Sequence, residues 1–169
     1  MIGLVVVSHS AAVAESVCGL AAPLAQGKMR LAPAGGTPDP EYPVGTDSVR
    51  VLRAIESVWG EEGVIVLMDL GSALLNAETA LDLLGDDRRA RVHLCAAPLV
   101  EGAVAAASLA AAGAGIAEIL REASAALASK AAQIGAGAIT SSEPFGADTP
   151  APAAERRPII CITSPSPTA

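Results

Sequence analysis

Residues 2–10, Ile-Gly-Leu-Val-Val-Val-Ser-His-Ser, open the chain with branched apolar side chains that do not alternate with polar ones. A strand with one wet face alternates, so an unalternating run must be covered on both sides, as in a parallel sheet between two layers of helices. The run stops at His9, held between Ser8 and Ser10. Residues 11–24 are rich in alanine, with Val13, Val17, Leu20 and Leu24 at helical spacing. Ser10 is therefore the expected N-cap, and His9 falls in a strand-to-helix turn, where α/β proteins hold their ligands.

The same pattern recurs. Residues 64–68 (Val-Ile-Val-Leu-Met) form a second unalternating run that ends at Asp69-Leu70-Gly71-Ser72. A helix follows, with Leu74, Ala77, Leu81 and Leu84 on its expected apolar face. Residues 28–32 are a short expected strand, and residues 91–96 another. Thr46 is the expected N-cap of a helix with Asp47 in its first turn and Val49, Leu52, Ile55, Val58 and Trp59 on one face. Two further helices are expected over about 100–112 and 116–134, the latter with Ile116, Leu120, Ala123 and Leu127 on one side. Residues 33–43 carry too much Pro and Gly for regular structure and read as an exposed loop. Strands alternating with helices predict an α/β fold, a mostly parallel β-sheet flanked by helices on both faces.

From residue 136 to 169 the composition turns to Pro, Ala and Ser, so the folded domain is expected over 1–135 and a flexible tail or linker beyond it. Residues 159–162 (Ile-Ile-Cys-Ile) could add an edge strand to it.

Composition narrows the function. Aromatic residues make up 2% of the 169 and the net charge is -7, which removes both the stacking platforms and the basic surface of a nucleic-acid binder. Three cysteines without CxxC spacing argue against a disulfide framework or zinc site and fit a reducing compartment. The N-terminal run is too short for a membrane span and lacks the flanks of a signal peptide, so a cytoplasmic location without membrane association is expected.

If the strands at residues 2–8 and 64–68 are parallel neighbours, His9 and Asp69 emerge at one edge of the sheet. A carboxylate accepting one ring N–H fixes the tautomer and leaves the other nitrogen's lone pair free to attack. Ser10 and Gly71-Ser72 stand at helix N-termini, which favour anions such as a phosphoryl group. His9, Asp69 and Ser72 are thus the candidate catalytic residues, and phosphohistidine chemistry is the favoured use. A Ser-His-Asp hydrolase uses the same residue types, but no G-x-S-x-G elbow is present. Metal binding has little support, since the other histidine, His93, lies in a separate strand and reads as structural. Ala112-Gly113-Ala114-Gly115 lacks the preceding strand and third glycine of a dinucleotide loop, and no phosphate-binding lysine loop exists, so no cofactor is expected.

Four ordered blocks, PVGTDSVRVLRAIE (43–56), VLMDLGSALLNAETAL (66–81) and LCAAPLVEG (94–102) together with IGLVVVSHS (2–10), resemble the phosphotransferase subunit of the phosphoenolpyruvate-dependent dihydroxyacetone kinase. That family carries a mannose-type IIA domain of the sugar phosphotransferase system, and the resemblance covers roughly residues 1–135. It implies that the histidine-containing phosphocarrier protein phosphorylates His9, and that His9 passes the phosphoryl group to ADP held in the nucleotide-binding subunit, which serves a dihydroxyacetone-binding subunit. It also implies that Asp69 orients His9, that Ser72 contacts the phosphate, and that the protein is a homodimer. The competing expectation is the IIA component of a mannose-type sugar transporter. A third is a regulatory module phosphorylated at His9 that passes nothing on. Larger family members continue into further domains, so the tail belongs either to a single-domain form or to a linker.

Overall fold

A computed structural model describes residues 1–133 and residue 135; the expected tail at 136–169 and the apolar burst at 159–162 lie outside the described residues. The elements run β1 (Ile2–Ser8), α1 (Ala11–Ala21), β2 (Met29–Gly35), α2 (Ser48–Ser57), β3 (Val64–Met68), α3 (Gly71–Asp82), α4 (Asp86–Arg89), β4 (Val92–Cys95), α5 (Leu99–Ala111) and α6 (Ile116–Gln133). The strands form a sheet of order β2-β1-β3-β4, and all neighbouring pairs are parallel.

The unalternating apolar runs have the expected cause. Along β1, Ile2, Leu4 and Val6 face a cluster built with α1, α5 and α6, while Val5 and Val7 face a second cluster built with α2 and α3. Ile65 and Leu67 of β3 join the first cluster, and Val64 and Val66 the second. Successive side chains of a strand point to opposite faces, so a sheet buried on both must be apolar at every position. Leu4 is fully buried at 0% exposure. Leu4→Ala is expected to cost about 3 kcal/mol of unfolding free energy, read from denaturant titration followed by circular dichroism.

Most residues of the faces expected for α2, α3 and α6 pack on the core, among them Ile55, Val58, Ala77, Leu81, Leu84 and Ala123, whereas α1 keeps only Val17 of its expected face inside. In α1 the buried residues are Ala14, Val17, Cys18 and Ala21, while Val13, Leu20 and the following Leu24 are exposed. In α2 they are Val51, Ala54 and Ile55, with Val49 exposed; in α3 they are Ala73, Ala77, Ala80 and Leu81, with Leu74 exposed. In α6, Ile119 and Ala123 are buried, Ile116 and Leu120 pack at the margin, and Leu127 is exposed. Small side chains turn inward because they let the helix backbone approach the sheet, and the larger residues beside them are displaced to the rim.

Strand β2 is longer than expected, for Pro33, Ala34 and Gly35 continue it rather than beginning the loop. It is an edge strand, where a proline is tolerated if its nitrogen faces outward. The Gly36 amide donates to the Ser8 carbonyl at 3.2 Å, and strand alternation then turns Pro33 away from β1. Gly35 is required by close approach: a Cβ there would lie 2.6 Å from the Ser10 carbonyl oxygen and 2.7 Å from the Ala11 Cα. The β1–α1 turn is thereby seated on the end of β2. Among the described residues, no helix is long and apolar enough to cross a membrane.

Candidate functional site

The side chains singled out above converge at the carboxyl edge of β1 and β3. These strands pair parallel with Val7 opposite Met68, so His9 and Asp69 leave the sheet side by side. Asp69 Oδ1 lies 2.9 Å from His9 Nδ1. A carboxylate only accepts hydrogen bonds, so the proton sits on Nδ1 and Nε2 is left with its lone pair. Ser72, in the first turn of α3, places its Oγ against Nε2, and in this tautomer the hydroxyl donates to the ring. His9 and Asp69 side chains are 26% and 21% exposed, so the imidazole is held from behind and open in front.

Asp69 is held on all sides. Its Oδ2 accepts from the Ser8 hydroxyl at 2.8 Å and the His9 amide at 2.9 Å, and its Oδ1 accepts from the Leu70 amide at 2.7 Å as well as from the ring. Partial burial pushes the Asp69 carboxyl up, but the bonds from the His9 amide, the His9 ring, the Ser8 hydroxyl and the Leu70 amide outweigh it and hold the group below the ordinary carboxylate range. Its negative charge thus persists through neutral and mildly acidic pH.

Two helices point their N-termini at this corner. Ser10 caps α1, its hydroxyl accepting from the Val13 amide at 3.4 Å as the sequence suggested. At α3 the preceding residue, Leu70, makes no side-chain cap bond. Unpaired first-turn amides and the helix dipole suit such a corner to a doubly negative group next to Nε2.

The segment between β2 and α2 closes the third side. The Gly45 amide donates to the His9 carbonyl at 2.8 Å, and the Thr37 amide donates to Pro43 at 3.2 Å. Thr46 is not the cap of α2, because Asp47 takes that place and accepts from the Arg50 amide at 2.7 Å. Thr46 instead donates to the Ser72 carbonyl at 3.3 Å and accepts from Asn76 at 2.7 Å. Asn76 also donates to the Ser72 carbonyl at 3.1 Å, so Thr46 and Asn76 fix the turn that bears Ser72. Sequence reading passed over Asn76, took Thr46 for a helix cap and gave Ser8 no role, because their partners at the site lie 26 to 61 residues away. Tyr42 and Val44 on one side, and Leu70 and Leu74 on the other, leave exposed apolar surface around the histidine.

His93 is half-buried in β4 opposite Ile65, away from Asp69 in the sheet, and the Ala112–Gly115 stretch is the turn between α5 and α6. Among the described residues, no group of three or more His, Cys, Asp or Glu could hold a metal ion.

The order carboxylate, imidazole, hydroxyl serves either attack by the ring nitrogen or attack by the serine, and the relatives bear on that choice. Residues 3–120 match the family model EIIA-man, described as the PTS system fructose IIA component. The chain belongs to the EIIA-man family. It is 52% identical over 135 residues to the PEP-dependent dihydroxyacetone kinase phosphoryl donor subunit DhaM of Providencia stuartii (strain MRSN 2154), covering 79% of this chain and 28% of that protein. To DhaM of Escherichia coli (strain K12) it is 50% identical over 136 residues, covering 80% and 29%. The corresponding subunit of dihydroxyacetone kinase 2 of Listeria innocua is 35% identical over 107 residues, covering 63% of this chain and 84% of that one. The chain thus spans under a third of the first two relatives and the matched part of it most of the third. Among solved structures, one titled "Crystal structure of unknown function protein EF1359" superposes with a TM-score of 0.65 at 31% identity, covering 73% of this chain and 92% of that one.

Proposed function

We propose that the protein is a phosphoryl carrier of the dihydroxyacetone kinase system, with His9 Nε2 as the covalent nucleophile. The carrying observation is an imidazole bound at Nδ1 by Asp69 and open at Nε2 toward a hydroxyl and two helix N-termini. In the first half-reaction the Nε2 lone pair forms a bond to phosphorus while the nitrogen–phosphorus bond of the histidine-containing carrier protein breaks. In the second a terminal phosphate oxygen of ADP, held in the nucleotide-binding subunit, takes the phosphoryl group and the Nε2–phosphorus bond breaks. The ring becomes cationic on attack, and the Asp69 carboxylate stabilises it; the departure of the phosphoryl group restores the lone pair.

Ser72 changes partner during the cycle. Its hydroxyl occupies Nε2 in the free protein, and an incoming phosphoryl group must displace it, after which it is free to donate to a phosphoryl oxygen. Positioning and charge stabilisation supply the rate, with no bond to make or break beyond the two at phosphorus. The exposed apolar residues around His9 would meet the donor and acceptor proteins in turn. The protein would work as a homodimer in the cytoplasm, serving the dihydroxyacetone-binding subunit through the nucleotide subunit.

The description of the matching family model as a fructose IIA component supports a second reading, a IIA component of a mannose-type sugar transporter. One experiment separates them. Protein charged from labelled phosphoenolpyruvate through the general phosphotransferase proteins is expected to discharge to the ADP-loaded kinase subunit, forming ATP there, and to keep its label when mixed with membranes containing a mannose-type transporter. Discharge to the membranes alone would establish the transport reading, and label retained against every acceptor would favour a regulatory module.

A further inference from the structure

Ser8, the last residue of β1, is 1% exposed and is the buried polar side chain among the described residues. A hydroxyl in that position must be paired, and this one is paired twice: it accepts from the Ser10 amide at 3.2 Å and donates to Asp69 Oδ2 at 2.8 Å. The amide occupies a lone pair of the oxygen, which leaves the proton directed at the carboxylate. Each carboxylate oxygen then has two donors, Ser8 and the His9 amide on Oδ2, the His9 ring and the Leu70 amide on Oδ1. The last torsion of an aspartate is broad, so the plane of its carboxylate is set by its partners. Two of the four are backbone amides, and the third is the imidazole itself. Ser8 is the side chain that holds the plane from the side opposite the ring.

We propose that Ser8 is a positioning residue of the site: its hydroxyl sets the Asp69 carboxylate so that Oδ1 meets Nδ1–H, and through it fixes the tautomer and direction of the His9 ring. The importance of that ring for transfer rests on the function proposed above, while its tautomer can be measured without it. The competing explanation is purely structural, with Ser8 serving only the β1–α1 turn through the Ser10 amide.

The test combines nitrogen-15 NMR of His9 with phosphoryl-uptake rates. In the unsubstituted protein Nδ1 is expected to carry the proton and Nε2 to be bare. In Ser8→Ala a visible fraction of the Nε2–H tautomer is expected, with uptake slowed about tenfold, the order of one hydrogen bond to a charged acceptor. Ser8→Cys keeps a side chain at the position but replaces the hydroxyl with a weak donor, and is expected to behave as Ser8→Ala. In an Asp69→Asn background, Ser8→Ala is expected to cause little further loss, because the hydroxyl acts through the carboxylate. The proposal is overturned by unchanged ring signals in Ser8→Ala, by full activity of Ser8→Cys, or by losses that multiply in the double variant. A lowered melting temperature with the original tautomer retained would assign Ser8 to the turn alone and equally overturn it. If the unsubstituted protein takes no phosphoryl group, the function proposed above fails, and the NMR comparison still decides the role of Ser8.

Discussion

His9→Ala is expected to abolish phosphoryl uptake while leaving the fold intact. The variant should yield no acid-labile, alkali-stable label from phosphoenolpyruvate and the general phosphotransferase proteins, and its circular dichroism spectrum should match that of the parent. The reason is structural as well as chemical. The imidazole lies at the mouth of the site, 26% exposed, and its removal opens no cavity in either of the two apolar clusters. Asp69 keeps its bonds from Ser8, the His9 backbone amide and Leu70, so its charge is not stranded. No other imidazole can substitute, since His93 lies in β4 opposite Ile65. Label of undiminished intensity in His9→Ala would move the carrier to another residue and end the proposed mechanism.

Asp69→Asn is the second large effect, with transfer slowed about a hundredfold and the protein still folded. An amide presents one acceptor and one donor where the carboxylate presents two acceptors, and four donors converge on this position. Either the ring loses its Nδ1 acceptor, or the Ser8 hydroxyl and the His9 amide face an NH2 group. The neutral side chain also withdraws the charge that stabilises the cationic ring during attack.

The pH dependence follows with its sign. A carboxyl held below its ordinary value in the folded protein contributes stability above the unfolded value of about 3.9 and loses it as pH falls through the lower folded value. The charge of Asp69 should therefore be unchanged between neutrality and about pH 5 in the parent protein. Rates of uptake measured across that range report on other groups.

Some parts of this architecture were readable one residue at a time. The unalternating runs at residues 2–8 and 64–68 required burial on both faces, and the structure places them as the two central strands. Ser10 as a cap followed from its position before an alanine-rich segment, since an N-cap is a local hydrogen bond over three residues. Other parts were unreadable for equally physical reasons. A helix rich in both alanine and leucine has two apolar stripes, and which one turns inward depends on how close the sheet lies; in α1 the alanine stripe won, leaving Val13 and Leu20 outside, while α3 kept Ala77, Leu81 and the following Leu84 inside and lost only Leu74 of its expected face. Pro33 looked like the start of a loop because sequence does not say which strand is at the edge, and only at an edge does a missing N–H cost nothing. Thr46 and Asp47 are both good caps, and Asn76 sixty-seven residues beyond His9 in sequence terms but one bond from Thr46 in space took the threonine for the Ser72 turn.

The sequence by itself determined a parallel α/β sheet with a histidine and an aspartate at strand ends, because hydrophobic period and capping chemistry act over a few residues. Only the tertiary structure decided that β1 and β3 are neighbours, that Asp69 meets Nδ1 and Ser72 meets Nε2, and that Ser8, Thr46 and Asn76 hold them there. Those are contacts between residues far apart in the chain, fixed by which strands pair and how closely the helices pack, and no local pattern encodes them.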